Sequence, residues 1–245
     1  MYAAGMNIRS LLAAVLFFVP GTSLLRAQEA TAVEESFTEM LRVVVDKEGA
    51  ANVRAAAALD AKVTGKVTSG AVVGAFSTSG DWTEIESSGS SAPDQFMHKS
   101  RLKKLDGWKQ MKAAKGGTED KGTVTYAGAE AVVTAAAFAE KEHKITKAKD
   151  GPKLVDGRHP WGVDGGLPSK SLALSMKLDG KAVEVPAEAT RDLFEPSMDS
   201  LVILTPGKPA AQLVVAMWNS DGAGGYLVAW SFVNGKYAGR TVMAP

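Results

Sequence analysis

Two short segments carry the residue types best suited to holding a polar ligand. The first is Arg158-His159-Pro160-Trp161-Gly162-Val163-Asp164-Gly165-Gly166-Leu167-Pro168; the second is Asn219-Ser220-Asp221-Gly222-Ala223-Gly224-Gly225-Tyr226. Each sets an Asp-Gly turn beside an aromatic ring and further glycines. Glycine permits positive φ and close backbone approach, and loops on a rigid scaffold commonly carry binding groups. Trp161, Asp164, Asp221 and Tyr226 are therefore expected to face one depression. Their rings would stack on the ligand while the carboxylates accept its hydroxyl or amide hydrogen bonds. The alternative is purely architectural: Asp164 and Asp221 cap turns, and Trp161 plugs a sheet edge.

Other chemistries find less support. A calcium loop needs several closely spaced oxygen ligands, and Asp221 has only Asn219 and Ser220 nearby. His98, His143 and His159 are scattered without zinc-ligand spacing. The chain has no cysteine, which excludes disulfides and thiolate metal sites. A Ser-His-Asp set can be assembled on paper around His159, but no Gly-x-Ser-x-Gly elbow supports it. Glu184, Glu188 and Asp192 offer a carboxylate pair of the kind used in glycoside hydrolysis; charges on an exposed hairpin and helix explain them more simply. No phosphate-binding Gly-Lys-Ser/Thr loop or dinucleotide fingerprint occurs. No catalytic residue, metal ligand or cofactor is assigned.

These residues need a scaffold, and 245 residues with 45% apolar content allow one large domain or two small ones, each with a packed core. The N-terminus reads as a secretory signal peptide: a basic Met6-Asn7-Ile8-Arg9-Ser10, an apolar run from Leu11 to Val19, a Pro20-Gly21 break and a small Ala27. The apolar run is short for a membrane anchor, the alternative reading. Loss of residues 1–27 would remove Arg9 and Arg26 and no acid. The formal charge would pass from +1 to −1, with 26 basic residues left of 28 against 27 acidic. Neither balance gives the field that attracts nucleic acid.

Residues 28–40 read as a linker or frayed helix. Residues 41–105 alternate apolar and polar positions in several short runs, separated by Asp46-Lys47-Glu48-Gly49, Thr68-Ser69-Gly70, Ser79-Gly80-Asp81 and the Ser87–Asp94 loop. That spacing argues for a small barrel or sandwich. Residues 106–125 are Lys- and Gly-rich and read as a connection. Ala127–Ile145 is ambiguous. Ala131, Ala135, Phe138 and Ile145 make a helical stripe in an Ala-rich run, while Val132-Val133-Thr134 favours strand; helix is preferred. Beyond Gly151 the pattern is β, with Asp179-Gly180 and Asn234-Gly235 as hairpin turns between alternating strands. A 126–245 domain, mainly β with minor helix and sandwich- or barrel-like, is expected.

Asn52-Val53-Arg54, Lys62-Val63-Thr64-Gly65-Lys66-Val67, Gly70, Gly80-Asp81-Trp82-Thr83-Glu84-Ile85 and Phe96-Met97-His98-Lys99-Ser100-Arg101-Leu102 follow one another in the order and spacing of a bacterial SH3-like domain, which this segment resembles. The loop Ala55–Ala58 lacks the usual Gly and Ser or Pro, and Arg101 stands where an aromatic often precedes the last Leu. The resemblance implies a small β-barrel in a secreted bacterial protein that binds wall peptides or partners. It also implies a shallow groove in which Phe76, Trp82 and Phe96 are the available rings; the competing reading puts Trp82 and the others in the core.

The resulting expectation is a mainly β, periplasmic or extracellular, non-catalytic binding protein. Its partner would be a cell-wall peptide or glycan, or an envelope protein, with no nucleic acid and no membrane span after signal cleavage. The alternatives are a secreted hydrolase with catalytic loops at 157–168 and 219–226, or an envelope scaffold.

Overall fold

The computed structural model describes residues 37–87, 94–113, 117–147, 153–207 and 211–244. The expected signal peptide, residues 28–36 of the expected linker, residues 88–93 of the Ser87–Asp94 loop and Lys115-Gly116 of the expected connection lie outside the described residues. The chain is mainly β, in antiparallel sheets.

The first half contributes β1 (Leu41–Val44), β2 (Ala50–Arg54), β3 (Val63–Thr68), β4 (Val72–Ser79), β5 (Trp82–Glu86), β6 (Gln95–His98) and β7 (Leu102–Lys104). They form one sheet in the order β3-β2-β6-β5-β4-β1-β7. Among the described residues β3 and β7 do not pair, so the ladder is open rather than closed. Side-chain alternation gives it two faces. Val44, Ala51, Val53, Val73, Ile85 and Met97 fill a small core of its own. On β2 the intervening Ala50, Asn52 and Arg54 point the other way.

After β8 (Lys109–Lys112) the chain builds a second layer: β9 (Lys121–Tyr126), β10 (Ala129–Ala137), the β11 (Ile145–Lys147) and β12 (Lys153–Val155) hairpin, β13 (Lys170–Leu178) and β14 (Lys181–Val183). Strands β14-β13-β10-β9 form a four-stranded sheet. The last strands are β15 (Val202–Thr205), β16 (Gln212–Asn219), β17 (Tyr226–Val233) and β18 (Lys236–Met243). They take β8 as their edge in a five-stranded sheet, β18-β17-β16-β15-β8.

That five-stranded sheet is buried on both sides, as continuous apolar strands such as Leu213–Met217 and Tyr226–Trp230 require. Leu213, Val215, Met217, Tyr226, Val228, Trp230 and Phe232 meet the four-stranded sheet through Val124, Ala131, Val133, Leu172, Leu174 and Met176. Val202, Leu204, Val214, Ala216, Leu227 and Ala229 face the other way, onto Phe37, Leu41, Val43, Val72 and Leu105. The order is therefore three sheets deep, with the C-terminal strands in the middle.

Two hairpins form where Asp-Gly and Asn-Gly stand in the sequence. Asp179 (φ 49°) and Gly180 join β13 to β14, and Asn234 (φ 50°) and Gly235 join β17 to β18. The helix expected over Ala127–Ile145 is instead β10, flanked by β9 and β13 in continuous register. Ala129, Ala131 and Val133 are buried and alternate with the more exposed Glu130, Val132 and Thr134, so burial on a sheet face overrides alanine's helical preference. The turn before it, Ala127-Gly128, puts an alanine at φ 53°, which is uncommon for a residue with a Cβ and left no sequence signal. The expected connection 106–125 supplies β8 and all of β9 but Tyr126. Residues 37–40, expected as linker, are helical, and Phe37 is fully buried against the middle sheet.

Candidate functional site

The N-terminal sheet carries a polar depression of about 340 Å³. Its walls come from alternate positions of the same strands that build the small core. Ala50, Asn52 and Arg54 project from β2, with Lys66 opposite Asn52 on β3. Trp82 on β5 stands directly opposite His98 on β6, and the two rings meet edge to face at 5.3 Å. Asp46, Glu48, Leu59, Ser100 and Arg101 complete the lining from the connecting turns.

Local hydrogen bonds set these groups in place. The Asp46 carboxylate accepts from the Glu48 backbone N–H at 2.7 Å and pairs with Arg101 at 3.2 Å, its side chain only 9% exposed. His98 Nδ1 lies 2.8 Å from Ser100 Oγ and accepts from the Ser100 backbone N–H at 3.3 Å, capping the 3₁₀ turn Lys99–Arg101. That contact spans two residues and acts as a cap, and among the described residues no carboxylate hydrogen-bonds the imidazole. Arg54 donates to the Ala61 carbonyl at 2.7 Å. At the margin, Lys99 sits 2.6 Å from Asp81 and its hydrogen bond and charge hold that carboxyl below its usual range. Lys66 and Glu48 have no side-chain hydrogen bond or ion pair among the described residues.

The three rings expected in a groove separate. Trp82 is 9% exposed; it lines the depression and stands outside the small core of that sheet. Phe96 shares the outward face by register, opposite Glu84 and Arg54, but does not line the depression. Phe76, 50% exposed, lies in the irregular stretch of β4 between Ala75 and Thr78. Arg54, Lys66, His98 and Arg101 lie within the motifs of the family resemblance, but Asp46, Glu48 and Leu59 lie outside them. The signal for this face was the outward alternation Ala50-Asn52-Arg54, which becomes a site only when β3 and β6 flank it.

The two Asp-Gly loops do meet. Ser220 Oγ donates to the Gly162 carbonyl at 2.8 Å. Gly162 has φ 102°, and a Cβ there would fall 2.5 Å from the Phe194 carbonyl oxygen; one on Gly224 would fall 2.9 Å from the Gly162 oxygen. Glycine is thus required on both sides of the contact. Trp161 and Tyr226 pack with centroids 6.0 Å apart, and His159 meets Trp161 edge to face at 5.5 Å.

The arrangement takes Tyr226 out of reach of a ligand. It is fully buried, its hydroxyl donates to the Phe194 carbonyl at 2.8 Å, and burial pushes its pKa well up. Trp161 is half-buried against the main core, while Asp164 and Asp221 are exposed. Asp221 precedes the 3₁₀ turn Gly222–Gly224 without a side-chain cap bond.

A second depression, about 430 Å³, lies beside Thr118, Glu119, Lys170, Glu195, Ser197 and Asp199. Its one lining cation is already paired with Asp120 at 2.8 Å, and Glu195 accepts from the Ser169 hydroxyl and the Lys170 backbone N–H. Glu184 and Glu188 are exposed, whereas Asp192 is buried in an ion pair with Arg240 at 2.6 Å. Among the described residues no His, Asp or Glu cluster has metal-site geometry, and no helix is long and apolar enough to cross a membrane. Comparison of the chain with family models, with curated proteins and with solved structures gave no match.

Proposed function

We propose that the chain is an exported, non-catalytic binding protein of the cell envelope, with an SH3-like N-terminal module that recognises a wall peptide or glycan. The observation that carries this reading is the depression on Trp82. Trp82 and side chains of both charges line it, all mounted on strands and tight turns. Rigid elements place binding groups more reproducibly than long loops. The motifs from Asn52 to Leu102 that resemble the SH3-like family supply Asn52, Arg54, Lys66, Trp82, His98, Ser100 and Arg101 of this lining. The signal-like N-terminus supplies the expectation of export.

Co-sedimentation of the purified chain with isolated cell wall tests the binding role. Wild type should pellet with the wall, and the Trp82→Ala chain should remain in solution. A wild-type chain that stays in the supernatant would remove the envelope reading. Export is tested by intact mass of protein from the native envelope fraction, where residues 1–27 should be missing; a full-length cytosolic species would refute it.

A further inference from the structure

We propose that the depression lined by Trp82 reads the carboxylates of a short acidic peptide, with Arg54 and Lys66 as the reading groups. The proposal rests on the binding role above and specifies its ligand.

The lining is ionic, and its charges are not all committed. Asp46 is engaged by Arg101 and by the Glu48 amide. Two cations, Arg54 and Lys66, and one anion, Glu48, are left to face an arriving ligand. Arg54 spends one donor on the Ala61 carbonyl, which fixes the guanidinium in place. An Arg side chain carries five donors in a planar fork; the remainder has no partner among the described residues and matches a carboxylate in bidentate geometry. Lys66 lies across the ladder from Asn52, two positions from Arg54 on the same face. In a regular ladder such diagonal neighbours stand roughly 7–8 Å apart; here the register shifts at Val53/Arg54, and both side chains line the depression. In an extended peptide, side chains at i and i+2 point the same way with comparable spacing. Two acids at i and i+2 therefore fit the two cations, and Glu48 is placed to take an ammonium group.

A glycan fits this lining less well. Sugar recognition uses an open aromatic face, but Trp82 is only 9% exposed, with His98 packed against it. Leu59, 75% exposed at the margin, offers apolar contact suited to a small side chain between the acids.

The test uses the whole chain and two C-terminally amidated peptides, Ala-Glu-Ala-Glu and Ala-Gln-Ala-Gln, which differ only in the two carboxylates. Binding is followed by the Trp82 indole N–H resonance, identified by its loss in Trp82→Phe. The Glu peptide should move this resonance, and raised salt should weaken its binding. The Gln peptide should leave it in place. Arg54→Gln and Lys66→Gln should each weaken binding about tenfold, the scale of one charge-assisted contact. Lys66 lies on an exposed edge strand, so its variant keeps the test decisive if Arg54→Gln disturbs the β2–β3 loop. N-acetylation of the Glu peptide should weaken binding several-fold through Glu48. Equal binding of the two peptides, no movement of the Trp82 signal with either, or wild-type affinity in both variants would overturn the proposal. Wall binding without peptide discrimination would sink the acidic-peptide site and leave the envelope role. Peptide discrimination without wall binding would do the reverse.

Discussion

The two sides of the middle sheet are built differently. Toward the four-stranded sheet it presents Trp230, Tyr226 and Phe232, and the buried Arg240–Asp192 pair lies there too. The Ala189 carbonyl accepts from Trp230 Nε1 at 2.8 Å and from Arg240 at 3.1 Å. Toward the N-terminal sheet it presents Val, Leu and Ala, with two buried hydroxyls. Ser231 Oγ accepts from the Val72 N–H at 2.8 Å. Thr241 Oγ1 accepts from Gly74 and donates to the Glu86 carbonyl at 2.6 Å. One side is thus a core of large interlocking rings. The other is a close sheet-to-sheet contact in which hydroxyls satisfy backbone groups that a purely apolar face would leave orphaned. Small residues permit that approach: a Cβ on Gly74 would fall 2.7 Å from Met243 Sδ. The lesson is that the N-terminal sheet, with six residues in its own core, draws much of its burial from the middle sheet.

Trp230→Ala should open the largest break in this contrast. It removes the largest fully buried side chain among the described residues, together with one of the two hydrogen bonds that the Ala189 carbonyl accepts. A loss of about 3–5 kcal/mol in urea unfolding is expected, and a loss below about 1 kcal/mol would show that this core can collapse around the gap. On the other side, Ser231→Ala leaves the Val72 amide buried without its acceptor, at about 1–3 kcal/mol. If that variant unfolds with the wild-type midpoint, the hydroxyl contacts are incidental to docking.

Alkaline pH should act through the ring-rich side. Burial pushes the Tyr237 hydroxyl up to about 12, and Tyr226 is also raised well above its ordinary value. In both, folding favours the protonated form. Their contribution is fully present below pH ~10, the unfolded value, and is lost as pH rises through the folded values. Stability should therefore decline from about pH 10 toward 12, and absorbance at 295 nm should report two tyrosinates delayed until unfolding. Two phenols titrating freely in the folded chain would contradict their placement. The smallest effect belongs to the exposed turns: Asp221→Asn and Asp164→Asn should each change stability by less than about 0.5 kcal/mol, as thermal melts would register. A larger loss would assign those carboxylates to holding the Gly162–Ser220 contact.

Legibility followed the range of the forces involved. The hairpins at Asp179-Gly180 and Asn234-Gly235 were readable because two adjacent residues decide their φ angles. β10 is not legible locally, because alanine's own preference points to helix, while its strand state depends on β9 and β13 on either side. Lys109-Gln110-Met111-Lys112 shows little apolar alternation and so reads as connection; its strand, β8, comes from pairing with β15, some ninety residues later. Of the expected site residues, Trp82 reached a depression, whereas Tyr226 was drawn inward by the Phe194 carbonyl and the surrounding core.

By itself, the sequence determined the β class of both halves, the absence of disulfides and thiolate sites, the turn positions with glycine-dependent φ, and the alternation that divides each strand into two faces. These depend on residue type and near neighbours. Only the tertiary structure decided that the C-terminal strands are the middle of three layers, that the two Asp-Gly loops touch through Gly162 and Ser220, and that Arg54, Lys66, Glu48 and Trp82 line one depression. Those outcomes come from ladder register and sheet stacking, which join residues far apart in the chain. Periodicity says only that a face exists, and the fold decides what lies against it.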